Sequence, residues 1–142
     1  MNSYTAETSG KQSIHNALVA AGCVDGITLK KSEIKTETDI IFWHQRPPVE
    51  GGEKKTYITY EVVMTPEETD RRADNKAAVF SFEASIDIWT RLRLNDKKIK
   101  TLIENIVEQL EIEEFIINMG PDIFENDTGI SHKPIEISKE IL

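Results

Sequence analysis

Three carboxylates lie close together near the end of the chain, at Asp122, Glu125 and Asp127, with His132 five residues further on. Oxygen ligands of this kind can hold a divalent cation, and a carboxylate beside a histidine can move a proton. The spacing does not match an EF-hand loop, because that motif needs ligands at alternate positions and a closing bidentate glutamate. We therefore predict no metal site here, and an enzyme using the acidic 122–127 turn with His132 is the weakest alternative.

The other residues with catalytic or ligand chemistry are scattered along the chain. The three histidines are 29 and 88 residues apart, so no two of them have the helical spacing of metal ligands. Cys23 is the only cysteine, and there is no glycine-rich phosphate loop or nucleophile elbow. Trp43 and Trp89 each lie among apolar neighbours, which favours a core or interface role over base stacking. The sequence predicts no catalytic residue and no cofactor.

The segment from Val79 to Glu113 predicts a strand followed by an amphipathic helix. Apolar residues take the even positions of the strand, which is the period of a half-buried strand. The helix carries its apolar residues at helical spacing, and Asn95 is its predicted N-cap. We expect the core to form from Phe80, Phe82, Ala84, Ile86, Ile88, Ile99, Leu102, Ile103, Ile106, Val107 and Leu110.

The remaining elements complete a single domain over residues 1–142. A first helix is predicted from about Gly10 to Ala21, because Ser9 and Gln12 have the spacing of a capping box, and residues 1–8 are predicted to be disordered. Strands are predicted at 39–44, 56–64, 115–117, 122–125 and 132–138, and the polar residues 65–78 at a long hairpin tip. This order indicates an α+β fold with a mostly antiparallel sheet and helices packed on one face.

The predicted central helix carries its charges against its own dipole. Its lysines lie in the positive first turns and its glutamates lie near the negative end, which is unfavourable in an isolated subunit. In a head-to-tail assembly, the basic end of one subunit can meet the acidic end of the next. The candidate interface residues on the helix are therefore Lys97, Lys98, Lys100, Glu108 and Glu111. Arg71 and Arg72 at the hairpin tip are separate candidates for a contact with an acidic partner, with a solvated tip as the alternative.

Composition sets limits on the partners of the protein. The 142 residues carry a formal net charge of -8, which argues against tight nucleic-acid binding, because phosphate contacts need clustered lysine and arginine. No apolar run is long enough to span a membrane, and the N-terminus lacks the features of a signal peptide. We expect an intracellular site of synthesis and no membrane partner.

A resemblance to a known family rests on an ordered set of segments. Residues Tyr57–Tyr60, then Ala84–Trp89, then the helix, then Gly120–Lys133 resemble the tail-completion proteins of long-tailed bacteriophages and prophages. These are the tail-terminator, or tail-to-head joining, proteins. The similarity covers about Ile40 to Ser138, and the stretch from Asp127 through Gly129 to Lys133 is its most specific part.

The resemblance implies a structural role in the virion. It implies a six-membered ring of this chain that caps the tail tube and meets the head–tail connector, assembled in the bacterial cytoplasm and located in the neck of the virion. It also implies that no enzyme activity is present. Another head-completion or tail-tube component is the main alternative. The resemblance leaves open which surface faces the tube, whether rings form without a partner, and what the segment from Cys23 to Thr38 contacts.

Overall fold

Two helices and seven strands make up the part of the chain that the computed structural model describes, residues 2–26, 40–45, 56–64 and 79–141. In chain order they are α1 Ser3–Ala20, β1 Val24–Asp25, β2 Ile41–His44, β3 Thr56–Met64, β4 Phe80–Thr90, α2 Lys97–Ile112, β5 Ile116–Met119, β6 Ile123–Glu125 and β7 Ile130–Ile141. The predicted order of helix, strands, helix and strands is confirmed, and with it the α+β class.

The strands form one sheet in the order β1-β2-β3-β4-β7-β5, and β6 also pairs with β7. The pairs β1–β2 and β2–β3 are parallel, and all other pairs are antiparallel. The prediction of a mostly antiparallel sheet is confirmed. The antiparallel pairing of β3 with β4 agrees with the predicted hairpin, whose tip at 65–78 lies outside the described residues.

Strand β4 lies at the centre of the sheet and alternates along its whole length between buried and half-buried residues. Ile86 is fully buried, with Tyr60 of β3 and Ile135 of β7 as its cross-strand neighbours. The even positions of β4 join a buried cluster with side chains from α1, α2, β2, β3 and β7. The predicted faces of this strand are confirmed, and they place the core on its even-numbered side.

Helix α1 differs from the prediction at its N-terminus. It begins at Ser3, where the Asn2 side chain accepts a hydrogen bond from the Thr5 amide at 2.9 Å. The predicted start near Gly10 is therefore wrong, and residues 3–8 of the segment predicted to be disordered lie in the helix. Residue 1 lies outside the described residues. Gly10 lies inside the helix. A glycine is required at this position because the Phe82 ring occupies the space that a Cβ would need. The glycine permits close helix–sheet contact, and Ser9 does not cap the helix.

Helix α2 matches the predicted stripe but has a different cap. Asp96, and not Asn95, is the N-cap, and its carboxylate accepts a hydrogen bond from the Lys98 amide at 2.9 Å. The apolar residues of the stripe are buried or packed against the core: Ile99, Ile106 and Leu110 are buried, and Leu102, Ile103 and Val107 are partly buried. The predicted N-cap was thus wrong by a single residue, which is within the usual uncertainty of helix ends.

Cys23 follows α1 and is buried at the start of the sheet. Its amide donates to the Leu18 carbonyl at 2.9 Å, and the next residue, Val24, donates to Ile40 at 2.9 Å. Burial raises the pKa of the Cys23 thiol to about 12. Such a thiol is not ionised at neutral pH, so it is unreactive while this part of the fold stays closed.

Among the described residues, neither helix combines the length and apolar composition that crossing a lipid bilayer requires.

Candidate functional site

The candidate interface residues of α2 lie at opposite ends of the helix, and all of them are exposed. Lys97, Lys98 and Lys100 lie in the first turns, and Glu108 and Glu111 lie in the last two. Lys97 and Glu111 are 14 positions apart in this sixteen-residue helix, which is roughly 20 Å at 1.5 Å per residue. None of the five forms an ion pair with another described residue. The structure thus keeps the predicted charges at opposite ends of the helix, without ion-pair partners in the part of the subunit that it describes.

The basic group continues into the connection between β4 and α2. Arg91 and Arg93 are exposed, and the connection that carries them is fixed by two hydrogen bonds. The Leu92 amide donates to the Thr90 hydroxyl at 3.0 Å, and the Asp96 amide donates to the Arg93 carbonyl at 2.9 Å. We call the exposed residues Arg91, Arg93, Lys97, Lys98 and Lys100 the basic end.

Arginine and leucine alternate over residues 91–94, and this alternation could have identified the two arginines as exposed. The sequence analysis did not use it. When the alternation of polar and apolar residues continues past the end of a strand, it indicates an ordered connection whose polar residues, here the arginines, face solvent.

The other lysines within the described ranges all have partners. Lys11 lies 3.9 Å from the Glu7 carboxylate, and Lys133 donates to Asp122 at 2.7 Å. Lys139 donates to the Ser13 hydroxyl at 2.8 Å and to the Glu113 carbonyl at 3.0 Å. The contrast shows that unpaired positive charge in the described part of the chain is concentrated at the basic end.

The contact of Lys139 with α2 has a consequence for the helix dipole. The last turn of α2 contains no basic residue of its own, and Lys139 supplies a positive charge from β7. At the other terminus, the N-cap carboxylate of Asp96 provides part of the negative charge that a helix start favours. The structure therefore compensates each terminus in part through a residue that the sequence argument did not use.

The C-terminus of α2 is closed by a Schellman motif with a glutamate in the position that glycine usually takes. Phe115 donates to the Leu110 carbonyl at 3.1 Å and Glu114 donates to the Glu111 carbonyl at 2.9 Å. Glu114 has a φ of 67°, in the left-handed region that is unfavourable for residues with a Cβ. Together with Glu108 and Glu111, this exposed glutamate forms what we call the acidic end.

Two of the three carboxylates of the 122–127 turn, those of Asp122 and Glu125, have partners other than His132. Asp122 pairs with Lys133, and Glu125 accepts a hydrogen bond from the Thr128 hydroxyl at 3.2 Å. Within the described ranges, no group of three His, Cys, Asp or Glu side chains is arranged to hold a metal ion. Asp122 and Glu125 thus contact residues of β7 and of their own turn. The other predicted pair, Arg71 and Arg72, lies outside the described residues.

His132 instead lies on the face of the sheet opposite the even positions of β4. It stacks on Trp89 with ring centroids 4.3 Å apart and an interplanar angle of 3°, and Tyr57 stacks on the other side of Trp89 at 6.2 Å. The Trp89 indole donates to the Thr59 hydroxyl at 2.9 Å. Register explains the row, because Tyr57, Trp89 and His132 are direct cross-strand partners.

Asp87 lies beside this aromatic row. Its carboxylate is 3.6 Å from His132 Nδ1, which is longer than a hydrogen bond, and that nitrogen has no hydrogen-bond partner among the described residues. Burial raises the pKa of the Asp87 carboxyl, and the nearby His132 opposes part of that rise. The sequence reasoning missed this pair, because the two residues are 45 positions apart and only the β4–β7 register brings them together.

Trp43 is 4% exposed, and Trp89 is half-buried in the aromatic row. The predicted core or interface role is confirmed for Trp43 by its burial, and for Trp89 it stays a prediction. No protein-family model matches the chain, and a search of curated proteins finds no significant match. The function must therefore be inferred from the sequence pattern and the geometry.

Proposed function

We propose that this protein is a structural component of a long-tailed bacteriophage or prophage that caps the tail tube and joins it to the head–tail connector. It acts as a six-membered ring of identical subunits, with both helices on one face of each subunit's sheet. It has no catalytic role, and its partners are further copies of itself, the tail tube protein and the connector protein. The ring is assembled in the bacterial cytoplasm and remains in the neck of the virion.

The observation that carries this proposal is the separation of unpaired charge along α2. The basic end and the acidic end lie at opposite ends of one rigid element, and neither finds an ion-pair partner among the described residues of its own subunit. A contact that joins two different patches repeats from copy to copy and closes into a ring when the rotation between subunits permits. The charges that an isolated helix disfavours then attract each other across each contact.

The net charge fits a passage for DNA better than a DNA-binding surface. Each chain carries -8, so six copies carry a formal charge of -48. An acidic lumen repels the phosphate backbone and lets DNA pass without being held. The lysines of the basic end are used between subunits in this arrangement and are not available to DNA.

The test replaces the three lysines of α2 by glutamine, as Lys97→Gln, Lys98→Gln and Lys100→Gln. The matched control changes the net charge by the same amount at exposed positions of α1, as Thr8→Glu, Ser9→Glu and Gln12→Glu. Light scattering after size-exclusion chromatography gives the mass of each species, and electron microscopy of phage particles gives the tail length. We expect the α2 variant to lose the ring and to leave tails uncapped, and the control to retain both.

Three results would contradict the proposal at different points. Normal rings and tails in the α2 variant would exclude its lysines as a subunit contact. A wild-type protein that is not found at the end of tails would overturn the proposed function itself. Tight, salt-dependent binding of double-stranded DNA by the wild type would overturn the idea of a non-binding passage.

A further inference from the structure

A shallow crevice of about 260 Å³ lies between the β4–α2 connection and β6, beside the basic end. Leu92, Leu94, Ile123 and Phe124 give it an apolar lining, and the Phe124 side chain is 61% exposed. Arg91 and Arg93 also line it. We call these six residues the socket, an apolar depression with two arginines at its side.

The charge of the socket is positive in spite of a carboxylate in its lining. Asp122 lies in the crevice, but it is paired with Lys133 at 2.7 Å. Arg91 and Arg93 form no ion pair with any residue in the described ranges, and the two backbone hydrogen bonds of the connection fix the chain that carries them. A ligand of the socket should therefore combine an apolar side chain with carboxylates, which arginine can bind through two hydrogen bonds.

The acidic end of α2 presents this combination. Ile112 is the last residue of the helix and its side chain is 65% exposed. Glu108 lies one helical turn before it, Glu111 precedes it directly, and Glu114 follows two residues later. We call Ile112 with these three glutamates the knob.

The stability of one subunit does not account for the knob. Glu114 adopts a left-handed conformation that glycine adopts without steric cost, and its charge lies at the negative end of the helix. Ile112 leaves a large apolar side chain in water at the same place. Backbone strain that persists in a folded protein clusters at binding sites and switch regions.

We propose that the knob of one subunit docks into the socket of the next, with Ile112 in the apolar depression and the glutamates on Arg91 and Arg93. This inference rests on the proposed ring, and it names the two surfaces that would form each contact. The socket lies at the N-terminal end of α2 and the knob lies at its C-terminal end. A subunit therefore uses one surface on each side, as a head-to-tail contact requires.

The test uses two variants that each lose one surface. The socket variant carries Arg91→Glu and Arg93→Glu, and the knob variant carries Ile112→Asp. Val19→Asp is the matched control for the knob variant, because Val19 is an aliphatic residue near the end of α1 and is 47% exposed. Circular dichroism and a thermal melt establish that every variant is folded before its mass is measured.

We expect each variant alone to be monomeric, with self-association weakened by at least about 30-fold, as for loss of an interface hot spot. The control should assemble like the wild type. When the two variants are mixed in equal amounts, one intact socket and one intact knob remain. The mixture should therefore form a discrete dimer of one subunit of each kind and no larger species, whereas the wild type should form a larger closed assembly. A wild type that stops at a dimer would overturn the head-to-tail contact, because a symmetric two-fold contact closes at two subunits.

Each other outcome overturns a stated part of the reasoning. Variants that keep the wild-type mass, or a mixture that stays monomeric, overturn the knob-and-socket contact while leaving the ring open to another interface. A wild type that stays monomeric at every concentration overturns the contact and the self-assembled ring. A wild type that assembles through this contact but is not found on phage tails overturns the proposed function and leaves the contact intact.

Discussion

Truncation of a single isoleucine in β4 gives a sharp test of the core. Ile86 is 0% exposed and lies between Tyr60 and Ile135 in the middle of the sheet, so Ile86→Ala removes fully buried carbon atoms. Three carbon groups at about 0.8 kcal/mol each give a transfer loss of about 2.4 kcal/mol. The paired neighbours hinder collapse around the missing atoms, so a cavity penalty should bring the total to about 3–5 kcal/mol.

The matched control makes the same change at an exposed position of the same sheet. Ile116 in β5 is 72% exposed, so Ile116→Ala loses only about a quarter of that transfer energy, or about 0.7 kcal/mol. The free energy of unfolding is measured by urea denaturation with circular dichroism, at a protein concentration low enough to avoid association. Losses that differ by less than about 1 kcal/mol would show that the assignment of the buried face, or the location of the core, is wrong.

Three further predictions concern helix ends, close contacts and charge. Gly10→Ala should destabilise the protein by about 1–3 kcal/mol in urea denaturation, because the new methyl group meets the Phe82 ring. Helix propensity alone favours alanine over glycine, so a stabilised variant would refute the close contact. Glu114→Gly should stabilise the monomer by about 1 kcal/mol, because it relieves the left-handed strain, and an unchanged or lower melting temperature would contradict this. Burial raises the folded-state pKa of Asp87 above 3.8, so the folded carboxyl binds its proton more tightly and its contribution to stability falls as the pH rises through that pKa. Asp87→Asn should therefore gain stability relative to the wild type from below pH 3.8 to neutral pH, and a constant difference across this range would refute the shift.

The parts of the fold that the sequence predicted are those specified by local periodicity. The alternation from Phe80 to Ile88 and the apolar stripe from Ile99 to Leu110 are repeated enough to define both the element and its buried face. The N-terminal half of α1 was missed because Ser9 and Gln12 have the spacing of a capping box, which indicates a helix start. Gly10 is instead needed for contact with Phe82, which is 72 residues away in the chain.

The candidate surfaces were only partly predictable for a similar reason. The lysines and glutamates of α2 could be placed from one helical pattern, and the structure has them exposed as that pattern predicts. The socket depends on β6 lying beside the β4–α2 connection, and the aromatic row depends on the register of β3, β4 and β7. Pairings between distant strands leave almost no local signal, so Phe124 and His132 could not be assigned to these surfaces from sequence alone.

The burial of Cys23 gives the protein a built-in reporter of local opening. The thiol is 4% exposed and has a pKa of about 12 in the closed structure, whereas an unfolded cysteine ionises at about 8.5. A thiol reagent should thus react only through conformations in which the junction of α1 and β1 has separated. Because no other cysteine competes for the reagent, the labelling rate of the unmodified chain measures the population of those conformations. Comparing that rate with the one expected from global unfolding would show whether α1 can detach while the β4–β7 pair stays intact.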